Sequence, residues 1–288
     1  MNSESYNYQD FLKNPSNSDI NLEIVTGGEV YNVICNFKNK STLGAKMSAL
    51  KIANKSIGFT YTLASIINKS FQEGIFPDQM KNARVIPLHK EGSKSDVSNY
   101  RPISLLNSFS KIYEKLMHIR ILNFLESNNS IYENQYGFRP GRCCEHALLN
   151  AQNSILDSLN KRKISLLLFI DFSKAFDMVE HEILLKKLEY YGIRGIALAW
   201  LKSYLSDRKQ FVYVNGTDSS KQVIKHGVPQ GSILGPLLFV IYINDIPNIA
   251  NFAKFILYAD DANILITAST IEEIHDQLTN LITKLLEF

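Results

Sequence analysis

The sequence predicts an α+β fold, and three observations predict it. The run Ile164-Ser165-Leu166-Leu167-Leu168-Phe169-Ile170 is nearly continuous in apolar residues, as a strand is when both its faces are buried, and it ends in Asp171. Two more apolar runs, Phe255 to Tyr258 and Ile264 to Ile266, flank the acidic pair Asp260-Asp261, which is the layout of a β-hairpin tip. Between and around these strands, apolar residues recur at three and four, the helical period. A sheet made of the Asp171 strand and the 255–266 hairpin, with helices on one face, accounts for all three.

In chain order, residues 1 to about 45 are rich in Asn and Ser, with a Gly-Gly pair at 27 and 28 and no sustained period, so they read as a weakly structured leader or linker. Leu50, Ala53, Ile57, Tyr61, Ala64, Ile67 and Phe71 place a helix over Met47 to Phe71, ended by Gly74 and Pro77. A short strand, Ala83 to Leu88, leads through a basic loop, His89 to Asn99, to a helix from about Ser108 to Glu126. The loop Tyr136-Gly137-Phe138-Arg139-Pro140-Gly141-Arg142 has two readings: a structured turn with surface arginines, or a clamp on nucleic acid through Arg139 and Arg142. A helix from His146 to about Leu159 precedes the Asp171 strand.

After Asp171 a helix runs from about Glu180 to Tyr191, with Gly192 as its C-terminal cap. His181, near its start, is assigned no role. A helix over Ile196 to Leu205 follows. Then Gln210 to Val214 and Gln222 to Lys225 flank Asn215-Gly216, a strong hairpin signal. Gly227-Val228-Pro229-Gln230-Gly231-Ser232 is a rigid loop leading into a core helix, Leu237 to Ile246. From Thr270 onward, Ile271, Ile274, Leu278, Ile282 and Leu285 again follow the helical period.

The 288 residues suffice for one large or two modest domains, and 45% hydrophobic residues supply a core. The net charge of +3 is too small to name a polyanionic partner. Its distribution is more informative: between Lys81 and Arg120 there are eight Lys or Arg against three acids, an excess suited to facing phosphates. Three cysteines, two of them adjacent, suit a reduced intracellular protein, with nucleus and cytoplasm unresolved. No zinc spacing or secretory signal is present, and the longest strongly apolar stretch, Ile233 to Ile243, is too short to cross a bilayer.

An acidic turn alone is ordinary, because Asp side chains bond local amides. An apolar strand that delivers Asp171 beside a hairpin that delivers Asp260 and Asp261 is different: three carboxylates there can hold two Mg²⁺ ions, with Mn²⁺ as an alternative. Such a metal pair serves phosphoryl or nucleotidyl transfer.

Five motifs then stand in a recognisable order. They are Ala83 to Gly92 with Ser98-Asn99-Tyr100-Arg101-Pro102-Ile103-Ser104-Leu105; Asn134 to Arg139; Phe169-Ile170-Asp171-Phe172-Ser173-Lys174-Ala175-Phe176-Asp177; Gly227 to Pro236; and Tyr258 to Asp261. Together they resemble the reverse transcriptases of non-LTR retrotransposons, Jockey-like LINE elements above all, over about residues 45 to 285. The resemblance implies a right-hand polymerase core of fingers and palm. Position by position, it makes Asp171, Asp260 and Asp261 the metal ligands and Lys90 and Arg101 the cations that hold the incoming triphosphate. It also makes Phe176 the gate against a 2′-hydroxyl, Gln230 a neighbour of the nascent base pair, and Tyr258 a support for the primer end. The implied partners are an RNA template, a DNA primer and dNTPs.

The implied division is 1–45 leader, 46–155 fingers, 156–200 first palm segment, 201–226 fingers hairpin and 227–288 second palm segment, with the thumb missing. The family's Gly-x-Asp segment has no acid here, where the chain reads Ser41 to Met47, and the chain stops about 27 residues after Asp261. The expected activity is RNA-directed DNA polymerisation. The alternative is a catalytically silent remnant that only binds nucleic acid. An RNA-dependent RNA polymerase is disfavoured by Phe176.

Overall fold

The computed structural model describes residues 11–12, 15–37, 56–172 and 174–288. In chain order its helices and strands are α1 (Gly27–Asn36), α2 (Ile57–Glu73), β1 (Asn82–His89), β2 (Tyr100–Leu105), α3 (Ser108–Ser127), α4 (Cys144–Asn160), β3 (Ile164–Asp171), α5 (His181–Tyr190), α6 (Gly195–Leu205), β4 (Lys209–Val214), β5 (Thr217–Asp218), β6 (Gln222–Val223), α7 (Leu234–Tyr242), β7 (Ala253–Tyr258), β8 (Asp261–Ala268) and α8 (Ile271–Glu287). The expected helix residues Met47, Leu50 and Ala53, and the Ser41 to Met47 segment, lie outside the described residues.

The chain forms two compact units. The first comprises Met1–Ser16, Asn128–Ala175 and Phe239–Phe288; the second comprises Asn17–Ser127 and Phe176–Leu238. The chain crosses between them at 16/17, 127/128, 175/176 and 238/239, whereas the sequence division put boundaries at 45/46, 155/156, 200/201 and 226/227.

The first unit is built on an antiparallel sheet of order β3-β8-β7. Paired residues share a face. One face therefore carries Leu166, Leu168 and Ile170 beside Ile264, Ile266, Phe255 and Leu257, and it packs against Ile274, Leu278 and Leu281 of α8. On the other face, Lys254 Nζ donates to Asn150 Oδ1 at 2.6 Å and to Ser154 Oγ at 2.7 Å on α4, which lies against β3 and β7. Helices thus lie on both faces, not on one. The expectation of a strand buried on both faces is also corrected: β3 is an edge strand, and Phe169, two residues before Asp171, is 72% exposed. An apolar run cannot by itself tell a buried strand from a sheet edge.

The second unit holds a sheet of order β2-β1-β4-β5, with β6 also on β4. Asn215 (φ +50) and Gly216 (φ +86) are both left-handed, as a two-residue type I′ turn requires, and they close β4 onto β5 at Val214 and Thr217. The immediate partner is therefore 217–218. The expected run from Gln222 joins β4 one residue out of register, through β6. Its core is aromatic: Phe76 packs edge-on against Trp200 at 5.2 Å and Tyr204 at 5.1 Å, and Trp200 Nε1 donates to Ser70 Oγ.

Residues 27–36, expected to belong to a weakly structured leader, form helix α1. Thr26 Oγ1 accepts from the Glu29 amide at 3.2 Å while Glu29 Oε2 accepts from the Thr26 amide at 2.9 Å, a reciprocal capping box. Val30, Val33 and Ile34 are buried at helical spacing. The Gly-Gly pair opens a helix, and Gly27 sits close beneath the Tyr61 ring.

Candidate active site

The carboxylates belong to the first unit and are placed by strand register. Asp171, the last residue of β3, is paired directly with Asp261, the first of β8, and Asp261 is paired with Tyr258, the last of β7. Tyr258, Asp261 and Asp171 therefore form one row across three strands. Ala259 and Asp260 make the two-residue tip, and Ala259 takes φ +57, a left-handed conformation usually left to glycine at the first position of such a turn. Asp260 is consequently held at the apex beside the row.

None of the three carboxylates is ion-paired to Lys or Arg among the described residues. Asp261 is held above the ordinary carboxylate range, first by burial and then by the charges of Asp260 and Asp171. Mutual repulsion among hard oxygen donors is what a divalent cation relieves, so the donor chemistry fits Mg²⁺. Among the described residues, no three acidic, His or Cys groups converge closely enough to form a finished metal cage.

The loop before α4 lies along the outer edge of β7 in the same unit. Tyr136 N donates to Leu257 O at 2.8 Å and Leu257 N to Asn134 O at 2.9 Å, a short parallel bridge. Arg139 Nη1 donates to Tyr132 O at 2.9 Å, and Arg142 Nη1 donates to Glu133 O while its guanidinium stands 5.4 Å from the Tyr136 ring centroid. Of the two readings of this loop, the structured turn is the one these bonds build. Sequence reasoning gave Gln135 no role, yet its side-chain oxygen accepts from the amide of Ala259. Within the sequence it was one letter of a motif; its target lies 124 residues away.

In the second unit, Gly227 N donates to Val179 O at 2.7 Å and Val228 N to Phe176 O at 2.8 Å, which joins the Phe176 segment to the Gln230 loop. Gln230 Nε2 lies 3.0 Å from both carboxylate oxygens of Asp177, and Ser104 N donates to Gln230 O at 2.7 Å from β2. A Cβ on Gly231 would stand 2.5 Å from Ser104 O, so only glycine allows that approach. Asp177 is a second residue that sequence reasoning passed over. Glu114 is a third: fully buried on α3, it accepts from Ser110 Oγ at 2.6 Å and from the amide of Ile233 at 2.7 Å, which anchors the end of the Gln230 loop. The sign was an acid among Ile112, Tyr113, Leu116 and Met117.

Lys90 and Arg101 are exposed on the β1–β2 hairpin. Arg101 pairs with Leu88, and Lys90 N donates to Asn99 O at 2.9 Å, so alternation puts both side chains on one face. Lys90 also lies 3.9 Å from Glu91. His181 Nε2 is 2.7 Å from Gly227 O, which ties the start of α5 to the Gln230 loop. No helix among the described residues is long and apolar enough to cross a membrane.

Comparison with known proteins bears on these motifs. The chain is 34% identical over 237 residues to a probable RNA-directed DNA polymerase from transposon BS of Drosophila melanogaster, covering 77% of this chain and 25% of that protein. It is 32% identical over 275 residues to the RNA-directed DNA polymerase from mobile element jockey of the same organism, covering 91% of this chain and 30% of that protein. A third relative, a probable RNA-directed DNA polymerase from the X-element transposon, is 36% identical over 197 residues. The chain thus spans less than a third of the length of these relatives. Residues 88–288 match the family described as reverse transcriptase (RNA-dependent DNA polymerase), and the chain belongs to that family.

Proposed function

We propose that this chain is the core of an RNA-directed DNA polymerase of a non-LTR retrotransposon, moving a nucleotidyl group from a dNTP to a primer 3′-hydroxyl on an RNA template. The observation that carries this is the row Tyr258–Asp261–Asp171 with Asp260 at its apex. Asp171, Asp260 and Asp261 would hold two Mg²⁺ or Mn²⁺ ions, which when bound supply charge neutralisation at the phosphates and a more acidic attacking hydroxyl. Lys90 and Arg101 offer fixed positive charge to the triphosphate. Phe176 bars a 2′-hydroxyl, Gln230 is steered by Asp177 towards the nascent pair, and Tyr258 supports the primer end. Arg139 and Arg142, both half-buried, would add positive charge beside the nucleic-acid backbone.

The rival reading is a silent chain that binds nucleic acid. It rests on the described residues alone, among which no three acidic, His or Cys groups stand close enough to hold an ion. Primer extension on an RNA template with dNTPs and Mg²⁺, with duplex binding measured in parallel, separates the two. Extension by the parent and at least a 10²-fold loss in Asp260→Asn, with binding kept, is the expected result. Binding without extension by the parent would establish the rival.

A further inference from the structure

Two features of the loop on the edge of β7 converge on one backbone amide. Gln135 is 1% exposed, and its Oε1 accepts from the amides of Gly137 at 2.8 Å and Ala259 at 3.2 Å. Its Nε2 is buried and has no partner among the described residues. A buried carboxamide with one end unsatisfied is less favourable than an apolar side chain of the same shape, so packing alone does not call for Gln here. What the oxygen holds is Ala259, the left-handed residue immediately before Asp260.

Gly137 presses on the same residue. A Cβ there would stand 2.1 Å from Ala259 N and 2.7 Å from its Cα. Non-glycine residues keep a positive φ when surrounding structure over-determines it. Here the surrounding structure is this loop, fixed in register by the bridge to Leu257.

We infer that Gln135 is a positioning residue for the catalytic carboxylates: by holding the Ala259 amide it sets the direction in which the tip presents Asp260 and Asp261. The inference rests on reading Asp171, Asp260 and Asp261 as the metal-holding group. Gln135 touches neither substrate nor metal and acts through the turn.

The test is Mn²⁺ binding by the full chain, read from the free-ion electron paramagnetic resonance signal, with Asp260→Asn as site control and steady-state primer extension alongside. Gln135→Met keeps length and burial but removes the acceptor. Gln135→Asn keeps the carboxamide and withdraws it by one methylene, and it serves if the Met variant does not fold. Gln135→Glu keeps an acceptor at the original reach. The Met and Asn variants are expected to bind Mn²⁺ about tenfold more weakly and to lose about 10²-fold in kcat. Their KM for dNTP should stay within about twofold, and the Glu variant should recover most of both losses.

A folded Met or Asn variant with parental Mn²⁺ affinity and kcat overturns the inference and leaves the metal reading standing. So does a loss that falls equally on Mn²⁺ affinity, KM and duplex binding, which is general loosening. If the parent binds no Mn²⁺, or Asp260→Asn binds as the parent does, the metal reading itself fails and takes the inference with it.

Discussion

Asp261 stands directly opposite another carboxylate with a third at the adjacent turn, an arrangement unfavourable to the fold unless a cation is present. Because its carboxyl is raised, the stability linked to its protonation is present below the ordinary value of 3.8 and is lost as pH rises through the raised one. Asp261→Asn is therefore expected to melt higher than the parent at pH 7 in metal-free buffer. The gap should close below about pH 4 and narrow when Mg²⁺ is added. Calorimetry at the two pH values checks this, and a parent more stable than the variant at pH 7 without metal would refute it. Under the proposed metal-holding role, activity and fold stability pull this residue in opposite directions, as they do at many sites.

Among elements, α1 shows how a segment of unpromising composition is made helical. Its capping box satisfies amide donors at the N-terminus, and the Glu29 carboxylate also meets Arg120 of α3 at 3.3 Å, where the Arg side chain is almost wholly buried. Thr26→Ala should cost about 1 kcal/mol, the usual worth of an N-cap. Glu29→Ala should cost more, about 2 kcal/mol, because it also strips a partner from a buried guanidinium. Urea titration measures both; a Glu29 effect no larger than the Thr26 effect would show that the Arg120 contact adds nothing. The hairpin β7–β8 and the loop against its edge illustrate a related point. The hairpin's two-residue tip is met from outside the hairpin, where Gln135 Oε1 accepts from the Ala259 amide.

At the scale of the molecule, acid stability is set partly by a residue of the second unit. His118 on α3 is pushed down to about 4, chiefly by burial and then by Lys115, and its Nδ1 is buried with no partner among the described residues. A depressed imidazole contributes stability that is present above its unfolded value near 6.5 and is lost as pH falls through about 4. The chain should therefore lose up to about 3 kcal/mol between those pH values from this residue alone. His118→Phe should flatten that part of the stability curve, as followed by denaturant unfolding at pH 7, 5.5 and 4.5. An unchanged slope would place the acid sensitivity elsewhere.

By itself, the sequence determined the elements and their punctuation. Helical spacing located α3 to α8 to within a few residues and the end of α2, whose expected start at Met47 lies outside the described residues; Asn215-Gly216 located its turn, and the apolar runs ending in Asp171 and flanking Asp260-Asp261 located the strands of the site. These are local codes: side-chain period and turn chemistry are written within a few residues. Only the tertiary structure decided which strand lies beside which, and so that Asp171 faces Asp261 and that β3 is an edge. It alone paired Gln135 with Ala259 and Glu114 with Ile233, 124 and 119 residues apart. Strand order and buried hydrogen bonds between distant residues depend on how the whole chain closes, and no window of sequence short enough to show a period contains both partners.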